Sequence, residues 1–158
     1  MNYYYSELAS PLGPILLVAS KQGVHHIHLQ AGTQPQPILP TWQRDDQQLA
    51  LVRQQLTEYF AGERRLFCLP LAPSGTDFQQ QVWRALQQIP YGTTASYGEI
   101  ARAIGRPKAV RALGAANGKN PLAIVIPCHR VIGANGSLTG YAGGLSLKQQ
   151  LLQLEQPQ

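Results

Sequence analysis

Residues 96–116 read SYGEIARAIGRPKAVRALGAA and predict two short helices joined by a tight turn. Ser96 followed three residues later by Glu99 forms a capping box, a pattern that starts a helix. Gly105 ends this helix, and Pro107 suits the first turn of a second helix that we expect to continue to the end of the stretch. Two helices with this separation indicate a helix-turn-helix motif.

The predicted helix-turn-helix carries a large excess of positive charge. Five basic residues and no acidic residue lie between positions 102 and 119, namely Arg102, Arg106, Lys108, Arg111 and Lys119. Residues 76–158 contain eight basic and three acidic residues and so account for the whole net charge of +5, whereas residues 1–75 are balanced. This asymmetry predicts a polyanionic partner for the second half of the chain. An ordinary solvated surface is the alternative that charge leaves open.

A candidate nucleophile follows the helix-turn-helix. The apolar residues 122–126 predict a buried strand that leads into Pro127, Cys128, His129 and Arg130. The thiolate is the reactive form of cysteine, and a neighbouring imidazole or guanidinium lowers the thiol pKa from about 8.5. An inert buried cysteine is the alternative. The polar neighbours at the end of the strand favour the nucleophile.

The first half of the chain predicts a small scaffold domain over residues 1–72. Strands are expected at residues 3–8, 15–20, 24–30 and 66–71, separated by turn and loop sequences. Apolar residues at helical spacing predict one helix over residues 47–61, capped by Asp45 or Asp46. No pattern in this half predicts chemistry of its own.

A linker at residues 72–75 leads into a mainly helical second domain over residues 76–158. Thr76 and Gln79 form another capping box, which starts a helix that we expect to reach about Gln88. A last helix is expected over residues 146–154, capped by Ser146 and followed by Glu155. The predicted fold class is therefore α+β, with a small N-terminal α/β scaffold domain and a C-terminal domain that contains the helix-turn-helix.

The sequence does not predict a metal site. His25, His26 and His28 lie close together on a predicted strand, but a structural zinc normally needs four protein ligands. Cys68 lies between apolar residues of another predicted strand and is expected in the core. We therefore expect surface histidines and no bound metal.

Length and composition restrict the class of protein. The 158 residues allow one domain or two small ones, and 44% apolar residues suffice for a folded core. Two cysteines give no disulfide framework, which favours a reducing compartment. Because neither a signal-peptide pattern nor an apolar run of membrane length is present, we expect a cytoplasmic protein without a membrane partner.

Several motifs together resemble the O6-alkylguanine-DNA alkyltransferases, the suicide DNA-repair methyltransferases. They are PCHR and VIG at residues 127–133, NP at 120–121, YAGG at 141–144, SYGEIA at 96–101, and Glu155. The similarity is strong over residues 78–155. The preceding part resembles the more variable N-terminal domain of that family, which is RNase H-like. The resemblance implies irreversible transfer of an alkyl group from O6-alkylguanine, and from O4-alkylthymine, in double-stranded DNA to Cys128.

The resemblance also implies catalytic roles for the matching residues. Cys128 is the nucleophile, His129 removes its proton through a water molecule, and Glu155 holds and polarises the imidazole. Asn120 orders the turn around the site. Tyr97 donates its hydroxyl proton to the leaving guanine. No cofactor is implied.

A base pocket is implied next to the nucleophile. Val131 and Tyr141 wall this pocket, and backbone groups of Ala142 and Gly143 meet the guanine O6. Many relatives have serine at position 142, so here only the backbone N–H of Ala142 can contribute.

The contacts with DNA are implied as well. Arg111 enters the duplex and fills the space of the extruded nucleotide. Tyr97, Gly98 and Arg106 contact the duplex near the same helix, which this family docks in the minor groove. We expect the protein to act as a monomer.

Three other classes of protein are alternatives to this expectation. A non-enzymatic alkyltransferase-like damage sensor has another residue, commonly tryptophan, where Cys128 stands. A plain helix-turn-helix regulator leaves Cys128, His129 and Glu155 without a purpose. A cysteine hydrolase releases an acyl product, whereas an alkyl acceptor retains a thioether.

Overall fold

The N-terminal half forms a four-stranded sheet. The structure is a computed structural model that describes residues 1–138 and 144–157. Strand β1 (Tyr4–Leu8) pairs antiparallel with β2 (Ile15–Ser20), which pairs antiparallel with β3 (Gly23–Leu29), and β4 (Gln43–Arg44) runs parallel to β1. The first three strands confirm the sequence prediction. The two-residue strand β4 was not predicted.

Burial along the strands follows from their places in the sheet. Strand β2 lies between two neighbours and is apolar and buried from Ile15 to Ala19. In β3 the buried residues Val24, Ile27 and Leu29 are interspersed with partly exposed histidines, as expected for a strand with one face on the core.

Helix α1 (Ala50–Phe60) contributes the buried residues Val52, Leu56 and Tyr59 to the same hydrophobic core as the strands. It begins later than the sequence predicted, and Leu49 at its start makes no side-chain cap. The reason lies at Asp45, whose side chain accepts hydrogen bonds from the backbone N–H groups of residues 47 and 48. These bonds close a separate turn before the helix.

The predicted strand at residues 66–71 is wrong, and so is the predicted core position of Cys68. Only Leu71 pairs with the sheet, through an isolated bridge to Val24. The Gln55 side chain bonds both the N–H and the C=O of Cys68, at 2.9 and 3.1 Å, so these groups are not available to a strand. Cys68 itself is exposed.

The C-terminal half is mainly helical. Its elements are α2 (Asp77–Leu86), β5 (Ala95–Ser96), α3 (Tyr97–Ala103), α4 (Val110–Gly118), a short 3-10 turn (Cys128–Arg130), β6 (Val131–Ile132) and α5 (Leu145–Leu154). Helices α3 and α4 confirm the helix-turn-helix, and together with the sheet they confirm the α+β class. Among the described residues, no helix has the length and apolarity that crossing a bilayer requires.

Two of the three predicted caps in this half are confirmed. Thr76 with Gln79 and Ser96 with Glu99 both form complete capping boxes. The predicted cap at Ser146 is wrong. Helix α5 starts from Gly144, whose φ of +102° suits glycine, and the Ser146 hydroxyl accepts a bond from Gln150 instead.

The predicted strand at residues 122–126 is also wrong. Leu122 makes only an isolated bridge to Ile27, and Ile124 has a φ of +73°, which is costly for a β-branched residue. The cause is Asn120, whose side chain donates to the carbonyl of Ile126 at 2.7 Å and accepts from the N–H of Leu122 at 2.9 Å. These bonds fold the apolar run into a compact loop that still packs in the core.

Candidate active site

Cys128 begins the 3-10 turn that follows this compact loop. Its side chain is buried, and it lies at a cavity of about 230 Å³ between the two halves of the chain. Strand β3 and the loop after it form one wall, and residues 117–121 form the other. Cys128 is therefore a buried residue that also lines this cavity.

His129 and Glu155 form a buried pair. The imidazole Nε2 lies 2.7 Å from a Glu155 carboxylate oxygen, and both side chains are at most 1% exposed. An ionised carboxylate only accepts hydrogen bonds, so Nε2 carries the proton of the neutral imidazole. Nδ1 is then the basic nitrogen, and it has no protein hydrogen-bond partner in the described part of the chain.

The Glu155 carboxylate has further donors. Arg130 donates to both oxygens, at 2.8 and 3.0 Å, Tyr59 donates its hydroxyl at 2.6 Å, and the Gly92 N–H lies 3.5 Å away. Burial alone would raise the pKa of Glu155, but the hydrogen bonds from His129 and Arg130 outweigh it and lower the pKa to about 2. Glu155 is therefore an anion at neutral pH.

The imidazole of His129 is neutral under the same conditions. Burial lowers the pKa of His129, and the opposing hydrogen bond to Glu155 does not overcome that effect. Because Arg130 already balances the negative charge of Glu155, the carboxylate does not need a protonated His129 as a second cation. A neutral imidazole can accept a proton from a nearby thiol.

Lys148 is a buried residue close to Cys128 that the sequence analysis missed. Its Nζ donates to the backbone carbonyl of Val131. Burial lowers the pKa of Lys148, and the negative charge that Cys128 can carry opposes this shift. The sequence did contain a signal for this position. Lys148, Leu151 and Glu155 follow one another at spacings of three and four residues, which places them on one face of a helix.

Tyr59 was missed as well, and no local pattern could have found it. It lies in the apolar face of α1, where helical periodicity explains it as an ordinary core residue. Its partner Glu155 lies 96 positions further along the chain.

The short strands β5 and β6 connect the helix-turn-helix to the 3-10 turn. They pair in parallel, with Ala95 opposite Val131 and Ser96 opposite Ile132. Tyr97 directly follows β5 and starts α3, while Val131 directly follows the Cys128 turn and is fully buried. The pairing thus holds the first residue of α3 and the implied pocket residue Val131 at one place in the fold.

The outer surface of the helix-turn-helix is basic. Arg106, Lys108 and Arg111 are exposed, and none of them forms a salt bridge within the described residues. On α4, a Cβ added at Gly114 or Gly118 would meet no atom within 4 Å, so packing inside the protein does not require glycine there. Gly98 lies half-buried near the start of α3.

Some predicted residues lie outside this surface and this cavity. Tyr141, Ala142 and Gly143 fall outside the described residues. The three histidines of β3 are half-buried rather than fully exposed, and His25 and His28 bond backbone carbonyls at 2.9 and 2.6 Å. Within residues 1–138 and 144–157, no three His, Cys, Asp or Glu residues are grouped as metal ligands would be.

The structure combines a buried cysteine, next to a buried His–Glu pair, with a basic helix-turn-helix. The family description "6-O-methylguanine DNA methyltransferase, DNA binding domain" matches residues 77–157, and the "ribonuclease-like domain" of the same name matches residues 3–73. The chain belongs to the O6-methylguanine DNA methyltransferase family, as its motifs predicted.

Individual relatives are similar along nearly their whole length. A methylated-DNA–protein-cysteine methyltransferase of Methanosarcina acetivorans is 51% identical, over 96% of this chain and 97% of its own. A constitutive enzyme of the same name from Bacillus subtilis is 46% identical, over 98% and 96%. The crystal structure of Mycobacterium tuberculosis OGT in complex with DNA has a TM-score of 0.88 at 47% identity, over 98% and 92%.

Proposed function

We propose that this protein is a methylated-DNA–protein-cysteine methyltransferase that repairs DNA by direct reversal. It moves the alkyl group of O6-alkylguanine, and of O4-alkylthymine, in double-stranded DNA irreversibly to its own Cys128. The observation that carries this proposal is the buried Cys128 turn, with a neutral imidazole held by Glu155, beside a basic helix-turn-helix. The names of full-length relatives at about 50% identity support it.

The proposed reaction is a displacement at saturated carbon. His129 Nδ1 takes the thiol proton of Cys128, directly or through water, and the thiolate sulfur attacks the alkyl carbon. The bond from that carbon to guanine O6 breaks, and its electron pair remains on the base. Tyr97 donates a proton to the departing guanine. Glu155 stabilises the imidazolium and fixes its tautomer.

The base must leave the helical stack before this chemistry can occur. Flipping costs a few kcal/mol, and a side chain that occupies the vacated space lowers that cost. We assign this role to Arg111, on the exposed face of α4, with DNA docked through its minor groove. Gly98 and Arg106 contact the duplex nearby. Val131 walls the base pocket together with residues 141–143.

Each molecule reacts once. The product is a thioether on Cys128, which lacks the electrophilic carbonyl that lets water release an acyl group. Cys68 is the other cysteine of the chain, and it lies on the surface of the N-terminal half. The two free thiols support the cytoplasm as compartment, and we infer that the protein acts as a monomer without a cofactor.

Mass spectrometry of the protein, before and after digestion, tests this function directly. The protein is incubated with an excess of duplex DNA that contains O6-methylguanine and is then digested. We expect transfer to stop at one methyl group per active chain, on the peptide that contains Cys128. The exposed thiol of Cys68 is an internal control for non-specific alkylation. Repeated turnover, or methyl groups on Cys68 alone, would refute the proposal.

A further inference from the structure

The N-terminal half contributes a side chain to the hydrogen-bond network of the active site. Tyr59, on α1, donates its hydroxyl to the Glu155 carboxylate at 2.6 Å. Both residues are buried, and the Tyr59 ring packs edge-to-face on Phe60 and Tyr91. Among the described residues, Tyr59 is the only hydrogen-bond partner of Glu155 that comes from the N-terminal half.

The hydroxyl of Tyr59 keeps its proton at neutral pH and is therefore a donor. Burial, followed by the nearby charge of Glu155, raises the pKa of Tyr59 far above its usual value. The bond is therefore charge-assisted, from a neutral phenol to a carboxylate, which is among the stronger hydrogen bonds in proteins. It acts on the oxygen that also accepts from His129 and from the Arg130 terminal nitrogen.

Three donors on one oxygen have two physical effects. They fix the rotation of the carboxylate, and through it the plane of the His129 ring. The other two donors also partly neutralise the negative charge of that oxygen, so that the oxygen stabilises a protonated His129 less strongly. Without the phenol, the carboxylate would stabilise the imidazolium more strongly, and the basicity of His129 would rise.

We propose that Tyr59 is a positioning residue for alkyl transfer, acting through Glu155 on His129. This proposal rests on the proposed function of Cys128. It assigns the N-terminal half a part in the chemistry, since α1 sets both the orientation and the effective charge of Glu155. Because the bond joins the two halves of the chain, the docking of the halves is coupled to the orientation and basicity of His129.

The test uses Tyr59→Phe in the full chain, which keeps the ring and removes only the hydroxyl. Single-turnover transfer from O6-benzylguanine to Cys128 is measured between pH 5 and 9. At neutral pH we expect a rate about tenfold lower, because a charge-assisted bond that orients the base is lost. We also expect the acidic limb of the pH–rate profile to move upward by about half a unit. DNA affinity should not change.

Tyr91→Phe is the matched control. Tyr91 lies in the same aromatic cluster, but its hydroxyl bonds the backbone of Leu154 at 3.4 Å rather than Glu155. This variant should keep the rate and the pH profile of the original protein. Equal losses in the two variants, or an unshifted profile in Tyr59→Phe, would show that Tyr59 only supports the fold and would overturn the proposal.

A double variant separates action through Glu155 from any direct effect. In a Glu155→Gln background, the further change Tyr59→Phe should cost much less than in the original protein, because the anionic acceptor of the hydroxyl is gone and only a neutral amide oxygen remains. An additional loss of the same size in that background would contradict the proposal. Failure of the original protein to transfer any alkyl group would instead refute the function of Cys128.

Discussion

The two regions that serve the proposed reaction are built on opposite physical rules. Around Glu155 every charge is buried and paired, and four different residues donate to one carboxylate. On the outer surface of α4 and the preceding turn, the cations are exposed and form no salt bridges within the described residues. In the first region the charged groups are paired with other groups of the protein. In the second region the cations are available to a partner outside the protein.

This difference determines how each region responds to mutation. Removing one member of a buried charged pair leaves the other member uncompensated, which commonly costs about 3–5 kcal/mol. Removing an exposed cation changes folding stability by little, because solvent already screens it. We therefore expect the removal of a buried, paired charge to affect chemistry and folding together, and the removal of a cation on α4 to affect DNA binding and repair without affecting the fold.

The largest effect is expected for Cys128→Ser. A serine hydroxyl is barely ionised near neutral pH and is a much poorer nucleophile toward saturated carbon, so transfer should vanish. The volume of the side chain is nearly kept, so the folded state and the binding of duplex DNA should persist. Intact-mass measurement for transfer and fluorescence anisotropy for DNA binding check the two statements. Retained methyl transfer in this variant would contradict the assignment of the nucleophile.

Acid should weaken the buried region selectively. The pKa of Glu155 is depressed from 4.5 in the unfolded chain to about 2 in the folded protein. A depressed carboxyl pKa stabilises the fold above the unfolded value, and that stability is lost as the pH falls toward the folded value. From pH 5 to pH 2 we expect about 3 kcal/mol to be lost from the free energy of unfolding. Urea denaturation at a series of pH values measures it.

Glu155→Gln isolates this contribution from those of other carboxyl groups. The variant should be less stable at neutral pH, since Arg130 and Tyr59 lose their anionic partner, and its stability should depend less on pH below 5. The carboxylates of the half-buried Glu58 and the exposed Glu99 are the same in both proteins and cancel in the comparison. Parallel curves for the two proteins would show that Glu155 does not titrate as its contacts require.

The basic surface could be predicted from the sequence because local rules produce it. Capping boxes at Ser96 and Thr76 set the helix starts, and the charge composition of residues 102–119 alone indicates a cationic surface. Cys128, His129 and Glu155 were predicted from motifs, and the structure brings His129 and Glu155 into contact.

The rest of the buried region could not be predicted, because side-chain bonds to the backbone and contacts between distant residues override the local patterns. The apolar run at 122–126 satisfies every rule for a strand, yet two bonds from Asn120 turn it into a loop. Likewise Gln55 removes the Cys68 backbone from strand pairing. Tyr59 is an ordinary residue of a helical pattern, and only the packed structure brings it to Glu155.

Arg111→Ala sharpens the contrast between the regions. We expect repair of duplex DNA to fall by about 10- to 100-fold, because the flipped state loses the side chain that offsets a cost of a few kcal/mol. Reaction with free O6-benzylguanine needs no flipping and should remain within about twofold of the original rate, since exposed surface changes perturb the fold little. Parallel single-turnover assays on both substrates compare the two. Equal losses on duplex and free base would show that Arg111 has another role.

The smallest effect is expected for Lys108→Ala. Lys108 is exposed in the turn before α4 and forms no ion pair within the described residues, so it is available for a phosphate. Each phosphate contact releases counterions, and its loss should make the slope of log K against log salt shallower by about one. Binding should weaken by a similar factor on every DNA sequence, and transfer from the free base should not change. Anisotropy titrations on two unrelated duplexes at several salt concentrations measure the slope. An unchanged slope would place Lys108 outside the interface, and a loss on one sequence alone would indicate base readout instead of backbone contact.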